Sequence, residues 1–152
     1  MSSRRRSRET ALQMIFQWEQ SRSTPEEVMT AYWGGLSNEG AGQGETADPF
    51  ANQLLRGVVE RCPAIDELIR KHAEHWRMER MSAVDRNILR LAVFELLEKT
   101  AAPAVVIDEA LEVGRRYSGD ESAPFLNGIL DAVEKSLGSE HGKAVESQAT
   151  NS

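Results

Sequence analysis

The stretch SAVDRNILRLAVFELL, residues 82–97, decides the fold of this chain. Ser82 followed three residues later by Asp85 is typical of a helix N-cap, and the apolar residues that follow recur at spacings of three and four. No other segment combines helical periodicity with so much apolar sequence, so we expect it to form the central helix. Its apolar positions are Val84, Ile88, Leu89, Leu91, Ala92 and Leu96.

One carboxylate, Glu95, falls within the apolar arc of this helix. A buried carboxylate without hydrogen-bond donors is strongly unfavourable, so it must find partners or stay protonated. We therefore predict that Glu95 is a structural hydrogen-bond anchor rather than a catalyst.

Proline, glycine and capping residues divide the rest of the chain into further helices. Most starts combine a capping hydroxyl or carboxylate with a proline or an apolar repeat, and glycine ends several of the runs. The first of these helices is expected to cover residues 8–20, and the second to start at Thr24-Pro25 and end near Gly34. The next two are expected to begin at Asp48-Pro49 and at Pro63, the latter running through Trp76. After the central helix, one helix should follow Pro103, and the last should run from a Ser122 cap to Gly138.

No segment alternates like a strand, so the predicted fold class is all-α, with about seven helices in two small bundles packed together. Residues 1–78 would form the N-terminal bundle with the Arg-rich start, residues 79–138 the C-terminal bundle, and residues 139–152 a disordered tail. The bundles would share one compact domain. Residues 34–47 contain five glycines and predict a mobile loop. Gly114 would allow a neighbouring helix to approach closely.

Composition limits the class of protein. With 152 residues, 40% of them apolar, the chain is long enough for a conventional core. The single cysteine, Cys62, excludes an internal disulfide framework. The longest apolar stretch, residues 88–97, is interrupted by Arg90 and Glu95, so no membrane span is expected. These features predict a soluble, cytoplasmic protein.

Candidate groups for catalysis or metal binding are few. His72 and His75 lie three residues apart on one predicted helix, but no third ligand follows at suitable spacing. Asp108 and Glu109 stand where acids stabilise a helix start. No nucleophile is paired with a base. We therefore predict no enzyme activity, no cofactor and no metal.

The basic charge of the chain is concentrated at its start. Arg4, Arg5, Arg6 and Arg8 lie within the first eight residues, although the net charge of the chain is −6. Arginine suits phosphate, and a helix N-terminus adds partial positive charge, so this cluster favours a polyanion such as nucleic acid. A basic stretch of this length is also compatible with an address signal or a solvated chain end.

Several motifs, taken in order, resemble the NusB family of bacterial transcription antitermination factors. Each is an ordinary amphipathic pattern by itself, whereas their order and spacing together are specific. They are RRRSRE at 4–9 with the ALQ that follows, F-x-x-x-L-L-x-G-V at 50–58, VDRNILRLAVFEL at 84–96, IDEAL at 107–111 and FLNGILD at 125–131.

The resemblance implies an all-helical, two-bundle fold and an RNA-binding function. It implies binding to the single-stranded boxA element of nascent ribosomal RNA, together with the small-subunit ribosomal protein NusE, so that RNA polymerase passes terminators. Other Nus factors and the polymerase would be indirect partners. The implied RNA contacts are Arg4, Arg5, Arg6, Arg8, Phe16, Glu121, Phe125 and Asn127. The acidic surface would attract the basic ribosomal protein, with Glu74, Glu79 and Asp85 as candidate contacts.

Two features depart from the family pattern, and other functions remain open. The glycine-rich loop is longer than usual, and Pro124 stands where a basic residue would assist phosphate binding. The alternatives are a helical protein-interaction module, an RNA-binding domain related to that of ribosomal-RNA methyltransferases, and a metal hydrolase. Monomer and homodimer are both compatible with the sequence.

Overall fold

The computed structural model describes residues 4–38 and 48–150, which form seven α-helices. No strand occurs in this part of the chain, and the predicted all-α class is confirmed. The helices are α1 (Arg4–Ser21), α2 (Pro25–Asn38), α3 (Pro49–Glu60), α4 (Cys62–His72), α5 (Ala83–Glu98), α6 (Pro103–Tyr117) and α7 (Ser122–Thr150), with a 3-10 turn at Met78–Arg80.

Helix α5 is the central helix, as its sequence predicts. The Ser82 hydroxyl accepts a hydrogen bond from the backbone N–H of Asp85 at 3.1 Å and caps the helix start. Beyond the first turn nearly every side chain of α5 is buried, and the helix packs against α1, α3, α4, α6 and α7. Lys99 adopts a left-handed backbone conformation and ends the helix.

One cluster of buried apolar side chains takes members from all seven helices. Helix α1 contributes Met14 and Ile15, which are fully buried, and α7 contributes Leu126 and Leu130. The cluster continues across the boundary that we predict between residues 78 and 79. The division into two bundles stays a prediction.

Several helix boundaries differ from the sequence expectation. Helix α1 begins at Arg4, so the arginine cluster lies within the helix rather than before it. Helix α4 ends at His72, and the predicted continuation through Trp76 is wrong. The basic residues Arg70, Lys71 and His72 in the last turn of α4 mark that end, because cations are favoured at a helix C-terminus.

The predicted end of the last helix at Gly138 is also wrong, because α7 continues to Thr150. Glycine lowers helix propensity by roughly 1 kcal/mol relative to alanine, but it keeps its backbone hydrogen bonds. Ser122 is the first residue of α7, and its hydroxyl donates to the Asp85 carboxylate at 2.6 Å instead of capping the helix. Helix α2 reaches Asn38, and the remainder of the glycine-rich loop, residues 39–47, lies outside the described residues.

Two glycines allow helices to touch without an intervening side chain. A methyl group placed on Gly114 of α6 would lie 2.6 Å from Leu126 Cδ1 of α7, which confirms the predicted close approach. A methyl group on Gly57 of α3 would overlap the aromatic ring of Phe94 in α5. The Phe94 ring is buried, so it has no free space to move into.

We expect Gly57→Ala to lower the free energy of unfolding by roughly 1–3 kcal/mol, because the added methyl group forces Phe94 out of its packed position. Urea denaturation of the purified variant measures this. Gly128→Ala is the matched control, since a methyl group there meets no atom within 4 Å. It should stabilise the protein slightly through helix propensity. Equal stability of the two variants would contradict the overlap at Gly57.

Candidate nucleic-acid interface

Three exposed arginines occupy the first turn of α1, and we call Arg4, Arg5 and Arg6 the arginine patch. The first N–H groups of the helix lack intrahelical acceptors and add partial positive charge at the same place. The guanidinium carbon of Arg4 lies 3.8 Å from the centre of the Phe50 ring, at the distance of a cation–π contact. The arginine patch is therefore a cationic surface in which Arg4 is held against the protein by Phe50.

A carboxylate of α6 holds one member of the arginine patch. Nε and Nη2 of Arg5 donate to the two carboxylate oxygens of Glu109, each at 3.0 Å. The hydrogen bond between the side chains is the main cause that raises the pKa of Arg5 and lowers the pKa of Glu109. Both groups are charged at neutral pH, so a phosphate must compete with Glu109 for Arg5.

Arg8, the fourth arginine of the predicted RNA site, is buried, with 7% of its side chain exposed. Its guanidinium donates to the Glu95 carboxylate at 2.9–3.0 Å, and the Thr100 hydroxyl donates to the same carboxylate at 2.7 Å. These bonds confirm Glu95 as a structural anchor. In place of the predicted RNA contact, the structure makes Arg8 the counter-ion of Glu95, because an enclosed guanidinium does not reach a phosphate in solvent.

A second contact fixes the start of α1 to α3. The buried Ser7 hydroxyl donates to the Asp48 carboxylate. The other oxygen of that carboxylate accepts from the backbone N–H groups of Phe50 and Ala51, at 3.0 and 3.1 Å, and so caps α3. The ring that faces Arg4 is therefore held in place by the same cap.

Phe16, the aromatic RNA contact predicted on α1, lies about 18 Å along the helix from Arg4, at 1.5 Å per residue. It is 43% exposed and borders a hollow of about 300 Å³ together with Tyr117 of α6. Asn87 also lines the hollow. Asn87 is fully buried, and its Nδ2 has no hydrogen-bond acceptor among the described residues. The hollow therefore combines exposed aromatic rings with one buried, unused donor.

A separate cleft of about 590 Å³ lies between the connector, which we define as residues 73–82, and the start of α7. Its lining includes Glu121 and Phe125, both predicted to contact RNA, and Asp85, predicted to contact the protein partner. The structure thus brings residues of both predicted sites into one cleft. Asn127 is exposed on α7, and Glu74 and Glu79 are exposed on the connector.

The arginine patch and the cleft lie near opposite ends of α5. Arg8 is bonded to Glu95 in the last turns of α5, whereas the cleft is lined by Ser82 and Asp85 at its start. Ten residues of helix separate Asp85 from Glu95, which corresponds to about 15 Å. The predicted RNA contacts therefore fall into distinct surface regions rather than one continuous pocket.

An ion network of Glu19, Asp66, Arg86 and Arg90 holds the cleft end of α5. Arg86 donates to both oxygens of Glu19, at 2.6 and 2.8 Å, while Arg90 donates to Glu19 and, at 2.9 and 3.0 Å, to Asp66. The hydrogen bond from Arg86 is the largest cause that lowers the pKa of Glu19. Arg86 also donates to the carbonyls of Met78 and Met81, at 3.2 and 3.1 Å, so it fixes the connector to α5.

Sequence patterns did not point to the connector residues Trp76, Arg77 and Arg80, which line the cleft beside Phe125. The sequence signal that could have revealed the connector is the basic last turn of α4, since such a turn favours the end of the helix before Trp76. The signal that could have revealed the ion network is Arg90 within an apolar run, because a buried arginine needs carboxylate partners.

Other reactive groups contribute nothing further to this surface. Burial is the main cause that raises the pKa of Cys62 to about 11, so the thiol is protonated at neutral pH. In the described segments no three of His, Cys, Asp or Glu are grouped as metal ligands. None of the helices described is both long enough and apolar enough to cross a bilayer.

Comparison with known proteins gives consistent matches. Residues 5–135 match the model of the NusB family. The chain is 47% identical over 137 residues to the transcription antitermination protein NusB of Solibacter usitatus (strain Ellin6076), covering 90% of this chain and 92% of that protein.

Solved structures agree in fold. The chain superposes on NusB of T. maritima with a TM-score of 0.71 and 37% identity, covering 88% of this chain and 92% of that one. It also superposes on a chain from a crystal structure of the antitermination factors NusB and NusE in complex with double-stranded RNA. That match has a TM-score of 0.73 and 27% identity, and it covers 88% of this chain and 96% of the other.

We expect Arg8→Ala to lower the free energy of unfolding by roughly 3–5 kcal/mol, because it leaves the Glu95 carboxylate buried without its counter-ion. Chemical denaturation measures this. Arg5→Ala is the control, since Arg5 is an exposed arginine of the same helix and its loss should cost far less. The double variant Arg8→Met, Glu95→Leu should recover most of the stability, because it removes both charges together. If Arg8→Ala destabilises the protein no more than Arg5→Ala does, the pair is not a structural anchor.

Proposed function

This chain belongs to the NusB family, and from that premise we propose that it binds the boxA element of nascent ribosomal RNA together with NusE and supports processive transcription of ribosomal RNA. The family consists of transcription antitermination factors rather than enzymes, as the sequence predicts. The observation that carries the proposal is the arginine patch, exposed at the N-terminus of α1 in an otherwise acidic chain. The proposed site of action is the bacterial cytoplasm, with other Nus factors and RNA polymerase as indirect partners.

In this proposal Arg4, Arg5 and Arg6 hold the RNA backbone. Arginine offers several planar donors to phosphate, and the helix N-terminus reinforces their charge. The contact with the Phe50 ring restricts the position of the Arg4 guanidinium, so less conformational entropy is lost when Arg4 binds phosphate. Arg8 takes part indirectly, because its bond to Glu95 sets the position of the first turn.

Unpaired bases would contact the exposed aromatic side chains. Single-stranded RNA presents base faces that stack on aromatic rings, and such stacking contributes about 1–3 kcal/mol per base. Phe16 is exposed enough to offer a ring face, and Phe125 is partly exposed in the cleft. Asn127 and Glu121 are exposed near Phe125 and supply polar groups for base edges.

NusE would bind the acidic part of the surface. Glu74 and Glu79 are exposed, and neither forms a salt bridge within the described part of the chain. A basic ribosomal protein is attracted to such carboxylates and, once bound, adds positive charge near the RNA. Asp85 accepts a hydrogen bond from Ser122 in the cleft, so it is less available than the two glutamates. The chain alone should therefore bind RNA weakly, and the pair strongly.

We expect the triple variant Arg4→Ala, Arg5→Ala, Arg6→Ala to bind boxA RNA more weakly and with a shallower dependence on salt. Each lost phosphate contact should reduce the slope of log K against log salt by about 0.7, hence by roughly 2 in total. Fluorescence anisotropy with labelled boxA RNA across a salt series, with and without NusE, measures both quantities. The wild-type chain should bind boxA more tightly than a scrambled RNA when NusE is present.

The triple variant Arg56→Ala, Arg70→Ala, Arg115→Ala is the matched control, because these arginines are also exposed and the change in net charge is identical. Its salt slope should stay close to that of the wild type. If both triple variants change the slope equally, the arginine patch is not a specific RNA contact. Equal affinity for boxA and scrambled RNA in the presence of NusE would refute sequence recognition.

We expect Glu109→Gln to increase RNA affinity by a few-fold, because Arg5 then binds phosphate without first giving up a bidentate carboxylate. Competition binding at low salt is the appropriate measurement, and the gain should shrink as salt rises. Glu26→Gln on α2 is the control. It removes the same charge from an exposed glutamate whose partner, Arg56, lies 4.0 Å away. An equal gain in the control would show that net charge alone is responsible.

A further inference from the structure

Trp76 is an exposed aromatic residue whose position the fold fixes. It is 60% exposed, more than Phe16, Val105 or Tyr117, the other large apolar side chains exposed in the described residues. Its ring meets the Phe125 ring edge to face, with centroids 5.1 Å apart and planes at 73°. Its exposed face is available to a planar ligand, while the contact with Phe125 holds the ring against the protein.

The connector that carries Trp76 is held on both sides of it. The backbone N–H of Trp76 donates to the Ala73 carbonyl at 3.0 Å. Beyond it, Met78 and Met81 are buried, and their carbonyls accept hydrogen bonds from Arg86 of the ion network. A ring mounted on such a segment is preorganised, so stacking on it loses little conformational entropy.

Two arginines flank this ring in the cleft without carboxylate partners. Arg77 and Arg80 are exposed and line the cleft, and neither forms a salt bridge within the described residues. By contrast, the arginines that join α5 to the rest of the fold all have carboxylate partners: Arg8 with Glu95, Arg61 with Glu98, and Arg86 and Arg90 within the ion network. The cleft therefore offers two guanidinium groups that form no salt bridge with a carboxylate of the described residues.

We propose that this cleft binds one unpaired nucleotide of the RNA, with its base stacked on Trp76 and its backbone phosphates held by Arg77 and Arg80. The inference rests on the proposed function, which supplies the RNA and already places Phe125 of this cleft among the base contacts. It adds Trp76 as the stacking ring, and Arg77 and Arg80 as the phosphate contacts. A stacking ring beside unpaired arginines is the combination that binds single-stranded nucleic acid. A basic protein segment is disfavoured inside the cleft, because Arg77 and Arg80 would repel it. The proposed NusE contacts Glu74 and Glu79 are not among the side chains that line the cleft.

The carboxylates of the cleft restrict how the nucleotide lies. Glu121 is exposed at the cleft, and Asp85 is partly exposed there and accepts from Ser122. Phosphate is repelled from that side and must lie toward the two arginines. The base edge faces the acceptors, so a base with an exocyclic amino group fits better than uracil.

The test compares Trp76→Ala, Trp76→Phe and the double variant Arg77→Ala, Arg80→Ala in the full chain with NusE and a boxA-containing RNA of about 12 nucleotides. Trp76→Ala should weaken RNA binding by about 5- to 150-fold, whereas Trp76→Phe should stay close to wild type because it keeps a stacking ring. The RNA-induced quenching of tryptophan fluorescence should be smaller in Trp76→Phe than in the wild type. The double arginine variant should also have a shallower salt slope than a matched Arg56→Ala, Arg70→Ala variant.

The outcomes separate this inference from the proposed function. Trp76 is mostly exposed, so Trp76→Ala should lower the melting temperature only slightly, through the lost contact with Phe125, and the folded variant then reports on binding. If the wild type binds RNA through the arginine patch while Trp76→Ala has unchanged RNA affinity, the inference is wrong and the proposed function stands. If Trp76→Ala loses NusE but keeps RNA, the cleft is a protein site and the inference is overturned. If the wild type with NusE binds no RNA, both fail.

Discussion

The buried ion pair between Arg8 and Glu95 fixes the first turn of α1, and the exposed chemistry of that turn depends on it. Two guanidinium nitrogens and the Thr100 hydroxyl donate to the carboxylate, so both charges are compensated inside the core. Ser7, next to Arg8, is bonded to the cap of α3. With residues 7 and 8 held inside, Arg4, Arg5 and Arg6 project from a rigid base. One arginine of the cluster is therefore structural, and it positions the three at the surface.

Helix α5 connects this anchor to the ion network at its other end. Its buried side chains meet five other helices, and its charged residues Arg86, Arg90 and Glu95 all bond to elements outside the helix. A buried charge network of this kind adds little net stability when complete, but it strongly disfavours arrangements in which a partner is displaced. The arginine patch and the cleft therefore keep a fixed separation, set by the length of one helix. RNA that contacts both must extend along the surface between them.

Sequence patterns predicted those features of the structure that depend on residues close together in the chain. The N-cap at Ser82, the periodicity of α5 and the need for partners around Glu95 were all readable, because each depends on neighbours in the same helix. Long-range pairing was not readable. Arg5 and Arg8 differ by three positions, yet one lies at the surface and one in the core, because their partners stand 104 and 87 residues away. Trp76 was predicted to lie within a helix for a related reason: an apolar side chain fits a periodic pattern whether or not the helix extends to it.

Charge alone gives this protein a small advantage in binding RNA, and this favours aromatic contacts as the source of selectivity. The chain carries a net charge of −6, and Arg5 must exchange Glu109 for phosphate, so part of the electrostatic gain at Arg5 is offset by breaking a pair inside the protein. Stacking has no such competitor, since the exposed faces of Phe16 and Trp76 are covered only by water in the free protein. A base stacks on a side chain only after it leaves a duplex, so the stacking energy is available to single strands and not to paired RNA. In the proposed function, weak phosphate contacts combined with fixed aromatic rings would therefore make the unpaired state of the RNA, more than its charge, the property that this surface distinguishes.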